Sequence, residues 1–569
     1  MGGRWRNKGG RIFRAFMPAK SSTNHTFRFT PWVRPLLCHA CLAVAVWPVD
    51  AAVPTTAPAA PTIAAAPAPE EAVLGQIFIK EFRVRGSKRL PPRIIEKAVY
   101  PFLGPRRSEQ DVEQARQALE KAYKDLGYQT VFVEVPQQDP RSGVVIMHVV
   151  EAPVGRLRVK GAKWFLPSEI KKHAPSVQEG VVPDFNAVKK DIVALNQMRD
   201  RKVTPELRAG VVPGTVDVDL IVADKAPVHG SIELNNRHNA NTTPYRLNAS
   251  FSYGNLWQLG HTLGVSFQIA PERPQDATIF SGYYMMPLQW SEGLNLMFTG
   301  TKQDSNVSTL GGGAVAGRGD VLGFRLLKQL PMEKGYYHSL SFGMDYKKFQ
   351  QDVTNAGVTT NAPVEYYPIT IAYNGGKVRE HSFTDFNLSS SLHLRGMGSR
   401  QQFANRRYQA DDGFFYVRGD VSHTHDLPGG FQVYGKIQGQ ASANSLINTE
   451  QIAIGGLSTV RGYLEATQLG DSGIIGSFEL RSPTLIGSGA KDSPNDWRFY
   501  GFYEAGRVFV NNPLPSQLNT FDLASTGVGS RIKLNQHMHG SVDLAMPLIS
   551  QPHAISNDIY MRFRIWLDF

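Results

Sequence analysis

Ile559-Tyr560-Met561-Arg562-Phe563-Arg564-Ile565-Trp566-Leu567-Asp568-Phe569 closes the chain and alternates without a break. Ile559, Met561, Phe563, Ile565, Leu567 and Phe569 share one face, and Tyr560, Arg562, Arg564, Trp566 and Asp568 share the other. Successive side chains of a strand point to opposite sides of a sheet, so this stretch is a strand with one apolar and one wet surface. A soluble sandwich also alternates. Here, however, the apolar face runs out to a final Phe569 while the opposite face holds two arginines and an aspartate, as in a barrel with lipid outside and water inside.

The same period of two extends back to His229, through Leu247 to Tyr253, Thr262 to Ile269, Ile279 to Met285, Leu294 to Thr299 and Val321 to Leu327. It continues through Ser339 to Phe349, Ile369 to Tyr373, Phe383 to Leu394, Phe414 to Val421 and Phe431 to Ala441. This gives eleven strands before Gly455 and five after it, hence a sixteen-stranded antiparallel transmembrane barrel over 228–569. Closing the sheet removes the edge that so many strands would otherwise expose.

The bulk composition agrees. A chain of 569 residues exceeds one hydrophobic core. Mean hydropathy is −0.26, 19% of residues are charged, and no apolar run of about 20 residues follows residue 50, which excludes a helical membrane protein but not a barrel.

Residues 1–51 read as a signal peptide: eight basic residues from Arg4 to Arg34, a short apolar core from Leu36 to Trp47, and small residues at Val49-Asp50-Ala51. The net charge of +12 falls to +5 without this segment, so the basicity belongs largely to export and a nucleic-acid partner is not expected. Both cysteines, Cys38 and Cys41, lie in it, which leaves no thiol for disulfides, catalysis or metal in the exported chain. Residues 52–75 collapse to Ala, Pro and Thr, the composition of a semi-rigid extended linker.

Two similar units follow, at 76–153 and 154–227. In the first, Ile77 to Arg85 alternates as a strand and Pro92 to Tyr100 suits a short helix. Ser108-Glu109-Gln110-Asp111 opens a longer helix with a capping box, Gly127 closes it, and two strands complete the unit. The second repeats this β-α-α-β-β order. If both units are periplasmic, the first barrel strand runs outward and each loop after an odd strand is external. The long external segments are then 302–320, 350–365, 396–413, 507–522 and the stretch around Gly455. Thr484 to Asn495 is long for a periplasmic turn.

The Gly455 stretch carries Val460-Arg461-Gly462-Tyr463 in a segment too rich in Gly and Ser for a helix. An arginine on such a loop either sits in solvent or has a partner elsewhere in the chain. With the two α/β units, the sixteen strands and the terminal aromatic, this tetrapeptide makes the chain from about Ile77 to Phe569 similar to the haemolysin/filamentous-haemagglutinin secretion proteins of two-partner secretion. That family lies within the outer-membrane barrel-assembly superfamily. The resemblance identifies the α/β units as polypeptide-transport-associated (POTRA) domains and the loop, 444–473, as one that folds back into the lumen. A second match is Gly501-Phe502-Tyr503-Glu504-Ala505-Gly506 in strand thirteen, where the family usually has Asp in place of Glu504. The resemblance implies that Arg461 pairs with Glu504 on a lumen wall formed with Phe502 and Gly506, and that Phe569 is the C-terminal insertion signal.

It further implies an outer-membrane pore that recognises an unfolded, large and β-helical exoprotein in the periplasm, with outer-membrane lipid and the barrel-assembly machinery as further partners. Factors that insert other barrels usually carry more POTRA units, and a passive porin or adhesin carries none. No phosphate-cradling Gly-x-x-x-x-Gly-Lys loop is present, and Gly311-Gly312-Gly313 has no lysine nearby. His423 with His425, and His537 with His539, have no carboxylate cluster beside them, so neither a metal nor another cofactor is expected, and no nucleophile–base pair points to an enzyme. Some members of the family plug the pore with a helix ahead of the first POTRA unit, whereas here only the Pro/Ala stretch stands in that place. Deleting residues 52–72 should therefore leave the conductance of the purified pore unchanged. A large rise would show that this stretch obstructs it.

Overall fold

The computed structural model describes residues 77–569, apart from 241, 289, 309–314, 351, 356–357, 488–492 and 516. The signal peptide, the linker and Gly311 to Gly313 lie outside the described residues. The described chain divides into two units, before and after Pro227.

In the first repeat, Glu81–Arg85 pairs in parallel with Val144–Glu151, which pairs antiparallel with Val131–Glu134. The helix Glu109–Asp125 starts where the sequence places it: the Ser108 hydroxyl accepts the Asp111 N–H, and the Asp111 carboxylate accepts the Ser108 N–H at 2.8 Å. Its buried stripe, Ala115, Leu119 and Tyr123, packs on Val131, Val133, Met147 and Val149 of the sheet. One strand from Ile77 to Arg85 is not what forms. The chain breaks at Lys80, where two successive N–H groups turn to Gly143 O, and Ile77–Ile79 pairs instead with Gly104–Arg107. The second repeat has the same plan: Val154–Lys160 and Arg201–Ala209 flank Val216–Asp224, with helices Pro167–Lys172 and Phe185–Leu195. The repeats are joined where Phe185 N–H donates to Gly127 O at 2.9 Å.

The barrel closes through sixteen antiparallel positions. Strands 1 to 8 are Val228–Asn235, Arg246–Leu256, His261–Ile269, Thr278–Pro287, Leu294–Ser308, Val315–Gln329, Tyr336–Gln350, and Val364–Tyr366 continuing as Ile369–Val378. Strands 9 to 16 are Ser382–His393, Phe414–Asp426, Gln432–Ser442, Ser472–Arg481, Asp496–Phe509, Thr520–Leu534, Met538–Pro547 and Tyr560–Asp568. In strand 16 the arginine face turns inward, where Arg562 is buried, and Met561, Ile565 and Leu567 face out.

The external segments differ from the sequence reading. Much of 302–320 is strand, because strands 5 and 6 continue on polar residues to Ser308 and from Val315. Likewise 350–365 holds a short hairpin, Asp352–Asn355 with Val358–Asn361. Pairing beyond the lipid belt needs no apolar alternation, so hydropathy does not reveal it. Nor do helices end at His229: Arg400–Arg406 forms one between strands 9 and 10. Seven residues are too few to hold a helix alone. This one is anchored by buried Phe403, against Tyr366 and Phe414, and by Arg406, which donates to Ala362 O and Phe349 O. The long turn after strand 12 is shortened from its near end, since Leu485 N–H still bonds Trp497 O at 2.7 Å.

In the first repeat, the Tyr123 hydroxyl donates to the Glu151 carboxylate at 2.9 Å and lies 2.6 Å from Ser87 Oγ; burial pushes it up to about 12, so it stays a donor. Because Glu151 also accepts the Lys88 and Arg89 N–H groups, Tyr123→Phe leaves no bare carboxylate. It should cost about 0.5–1.5 kcal/mol in urea unfolding of residues 77–226, and no change would remove this network from the stability of the repeat.

Candidate functional site

The segment between strands 11 and 12 turns back into the lumen as a small hairpin, Ile452–Ile454 paired with Gln468–Gly470. Its tip is compressed. Gly456 has φ +103°, and a Cβ there would lie 2.4 Å from the Glu465 carboxyl carbon; Gly462 has φ +92° with Pro547 N 3.1 Å from where its Cβ would be. Either position excludes an ordinary side chain. Val460 and Tyr463 sink into an apolar cluster with Ile452, Ile475, Val508 and Leu523. The Tyr463 hydroxyl lies 2.7 Å from Ile549 O and 2.9 Å from Ala524 O.

Between these two anchors Arg461 is driven into the wall, 5% exposed. Its Nε and Nη2 donate to Glu504 Oε1 at 3.0 and 2.6 Å, and its backbone N–H donates to Glu504 Oε2 at 2.7 Å. The same guanidinium reaches two further carboxylates: Nη2 to Glu479 Oε1 at 2.9 Å and Nη1 to Asp543 Oδ1 at 2.8 Å. Below it the Phe502 ring centre is 3.7 Å from the guanidinium carbon. Tyr500 OH donates to Asp543 at 2.9 Å, and Arg481 holds the other oxygen of Glu479 at 2.6 Å. One planar fork thus joins strands 12, 13 and 15.

Val460, Arg461, Gly462, Tyr463, Phe502 and Glu504 therefore come together. Gly506 faces the apolar cluster instead, where a Cβ would stand 3.0 Å from Ile475 Cγ1. Phe569 lies elsewhere, its ring over Gly230 and its backbone exchanging two 3.0 Å hydrogen bonds with that glycine. Sequence reasoning missed Glu479, Asp543 and Tyr500. Alternation carried the signal, because each occupies an inward position, and Asp543 is a lone acid between outward Val542 and Leu544.

A second buried cluster joins the external ends of the strands. Asp471 is fully buried; it accepts from Arg407 Nη1 and, at 2.7 Å, from Arg407 Nη2, and from the N–H groups of Leu446 and Asn511 at 2.8 and 2.7 Å. Glu450 accepts from Lys347, Tyr366 and Tyr416 at 2.7 to 2.8 Å. Glu450 thereby ties the segment after strand 11 to strands 7, 8 and 10, and Asp471 ties it to the segments after strands 9 and 13. His423 and His425 stack at 6.1 Å on the outward face, and His537 and His539 both meet Asp568. Among the described residues no group of three or more His, Cys, Asp or Glu is placed to hold a metal.

Against known families, residues 214–532 match the model for haemolysin secretion/activation protein ShlB/FhaC/HecB, and residues 77–152 match the POTRA domain of ShlB type. Outer membrane transporter CdiB of Dickeya dadantii is 21% identical over 72% of this chain and 73% of its own length. Heme/hemopexin transporter protein HuxB of Haemophilus influenzae strain 86-028NP is 20% identical over 79% of each. Among solved structures, CdiB from Escherichia coli superposes with a TM-score of 0.58 at 19% identity, covering 89% of this chain and 93% of that one. BamA from Haemophilus ducreyi lacking POTRA domains 1–3 gives 0.55 at 14% identity, covering 86% and 100%. With its POTRA-type repeats and closed sixteen-stranded barrel, the chain belongs to the haemolysin secretion/activation family ShlB/FhaC/HecB and is an outer-membrane transporter that secretes an exoprotein by the two-partner route.

Proposed function

We propose that residues 76–153 and 154–227 receive the unfolded client in the periplasm, and that residues 228–569 pass it outward once the loop carrying Arg461 leaves the lumen. The observation that carries this reading is Arg461 itself, buried on the inner wall by three carboxylates while its loop crosses the lumen. A desolvated pair that loses one partner leaves an uncompensated charge, a cost of about 3–5 kcal/mol. The loop therefore holds its seat at rest. In transit, water entering with the client resolvates both the guanidinium and the carboxylates, which removes most of that cost. No catalytic step is required, and folding of the client outside makes the passage irreversible.

Reception rests on sheet edges. In the second repeat Arg201–Ala209 is an outer strand, and the turn after it presents Val211 and Val212 to solvent. An extended client pairs with such an edge and seats apolar side chains beside it. Pro205 removes one donor from that strand. Phe569 serves insertion by the barrel-assembly machinery, and the outward apolar face meets outer-membrane lipid.

Arg461→Ala should reduce export of the exoprotein at least about tenfold while the barrel still shows heat-modifiable migration, since the variant removes the cation that meets Glu504 and Asp543 together. Undiminished export with a folded barrel would take Arg461 out of the mechanism. Glu504→Asp keeps the charge and should export within about twofold of the parent, whereas Glu504→Gln should resemble Arg461→Ala. Equal behaviour of the two Glu504 variants would contradict a charge-based seat.

A further inference from the structure

On the outward face of strands 7 to 10 a polar row interrupts a surface that otherwise meets hydrocarbon. Tyr336, Lys377, Thr384 and His423 stand directly opposite one another from strand to strand, and Gly435 of strand 11 continues the row. All lie near the periplasmic strand ends: strand 7 begins at Tyr336, strand 8 ends at Val378, strand 9 begins at Ser382 and strand 10 ends at Asp426. Toward the external side the next outward positions are His338, Gly375, Phe386, Val421 and Ile437, followed by Leu340, Tyr373 and Leu388. The row therefore marks the edge of the apolar belt, at the level of the periplasmic headgroups.

Its polar groups are only partly satisfied within the chain. His423 Nδ1 lies 2.8 Å from the Thr384 hydroxyl and its ring stacks on His425; among the described residues no other hydrogen bond holds either imidazole. Lys377 Nζ donates to Lys334 O at 2.9 Å, which uses one of the three donors of an ammonium. Hydrocarbon offers polar hydrogens no partner, so the remaining donors call for one from the headgroup layer. Beside His423 the surface is also hollow. Gly435 and Gly476 have no heavy atom within 4 Å of where a Cβ would stand, and with them comes a groove of about 500 Å³ lined by His423, Ile437, Phe478 and Tyr503. A groove alone would take any hydrocarbon chain. Joined to a row that holds an ammonium and an imidazole but no carboxylate, it fits an amphiphile with an anionic head.

We infer that this face binds one phospholipid of the periplasmic leaflet, with its phosphate on Lys377 and His423 and one acyl chain in the groove. Charge complementarity selects the phosphate, and the apolar lining selects the chain. A lipid so held spans strands 8 to 13 and sets the depth of that wall in the membrane, whether or not the Arg461 loop moves.

The probe is palmitoyl-oleoyl phosphatidylglycerol, titrated onto the purified protein in detergent and counted by native mass spectrometry. One molecule should be retained ahead of the rest, and Lys377→Ala/His423→Ala should weaken its apparent affinity about fivefold or more in barrels that remain heat-modifiable. Gly476→Leu, which fills the groove and leaves the charges in place, should weaken it about threefold or more. A galactosyl diacylglycerol with the same chains has no phosphate and should bind the parent at least about fivefold more weakly. Unchanged affinity in either folded variant would overturn the site, and equal binding of the galactolipid would overturn recognition of the phosphate. If one variant fails to insert, the other decides alone.

Discussion

A guanidinium surrounded by Glu504, Glu479 and Asp543, with an aromatic ring beneath it, cannot be left half-made. Taking these charges from water is costly, and the arrangement is stable only with all partners in place. Their geometry therefore demands that strands 12, 13 and 15 stand in fixed register, that Phe502 and Tyr500 lie flat against the wall, and that the loop enter at one depth. Room for the rings comes from neighbouring strand 14, where Gly529 leaves space that a Cβ, 2.4 Å from the Tyr500 ring, would fill. The barrel supports the site by alternation: the residues that place Arg461 are every second one, and those between them face lipid.

The same logic explains why the loop is so heavily anchored. Apolar burial of Val460 and Tyr463 brackets Arg461, and Glu465 continues the hold toward strand 1. External loops add a separate lock through Asp471 and Glu450. Under the proposed withdrawal of the loop, passage of a chain releases interactions of two kinds, a charged seat on the inner wall and a buried polar knot at the outer end. Both are made of groups that water can satisfy once it is admitted.

Much of this was legible in the sequence. Period-two alternation gave the strand number and put Arg461 between strands 11 and 12, with Glu504 on strand 13, because one face of each strand is forced to be apolar. The capping box at Ser108 marked the longer helix of the first repeat. Other features left no such trace. The outer parts of strands 5 and 6 run on polar sequence with no apolar alternation, and the helix Arg400–Arg406 exists through what Phe403 and Arg406 touch. Glu479 and Asp543 sat on the inward face in plain alternation, but which inward acids converge on one arginine depends on barrel curvature, and curvature is not written in any single strand.

Everything proposed for transport depends on the Arg461 loop occupying the lumen at rest and leaving it during secretion. Its most direct test is a distance measurement between spin labels at Leu457→Cys, on the loop, and Ala505→Cys, on the outward face of strand 13, in the cysteine-free protein with and without its exoprotein engaged. One short distance is expected at rest and a second, longer population when the exoprotein is bound. A single unchanged distance throughout active secretion would contradict it.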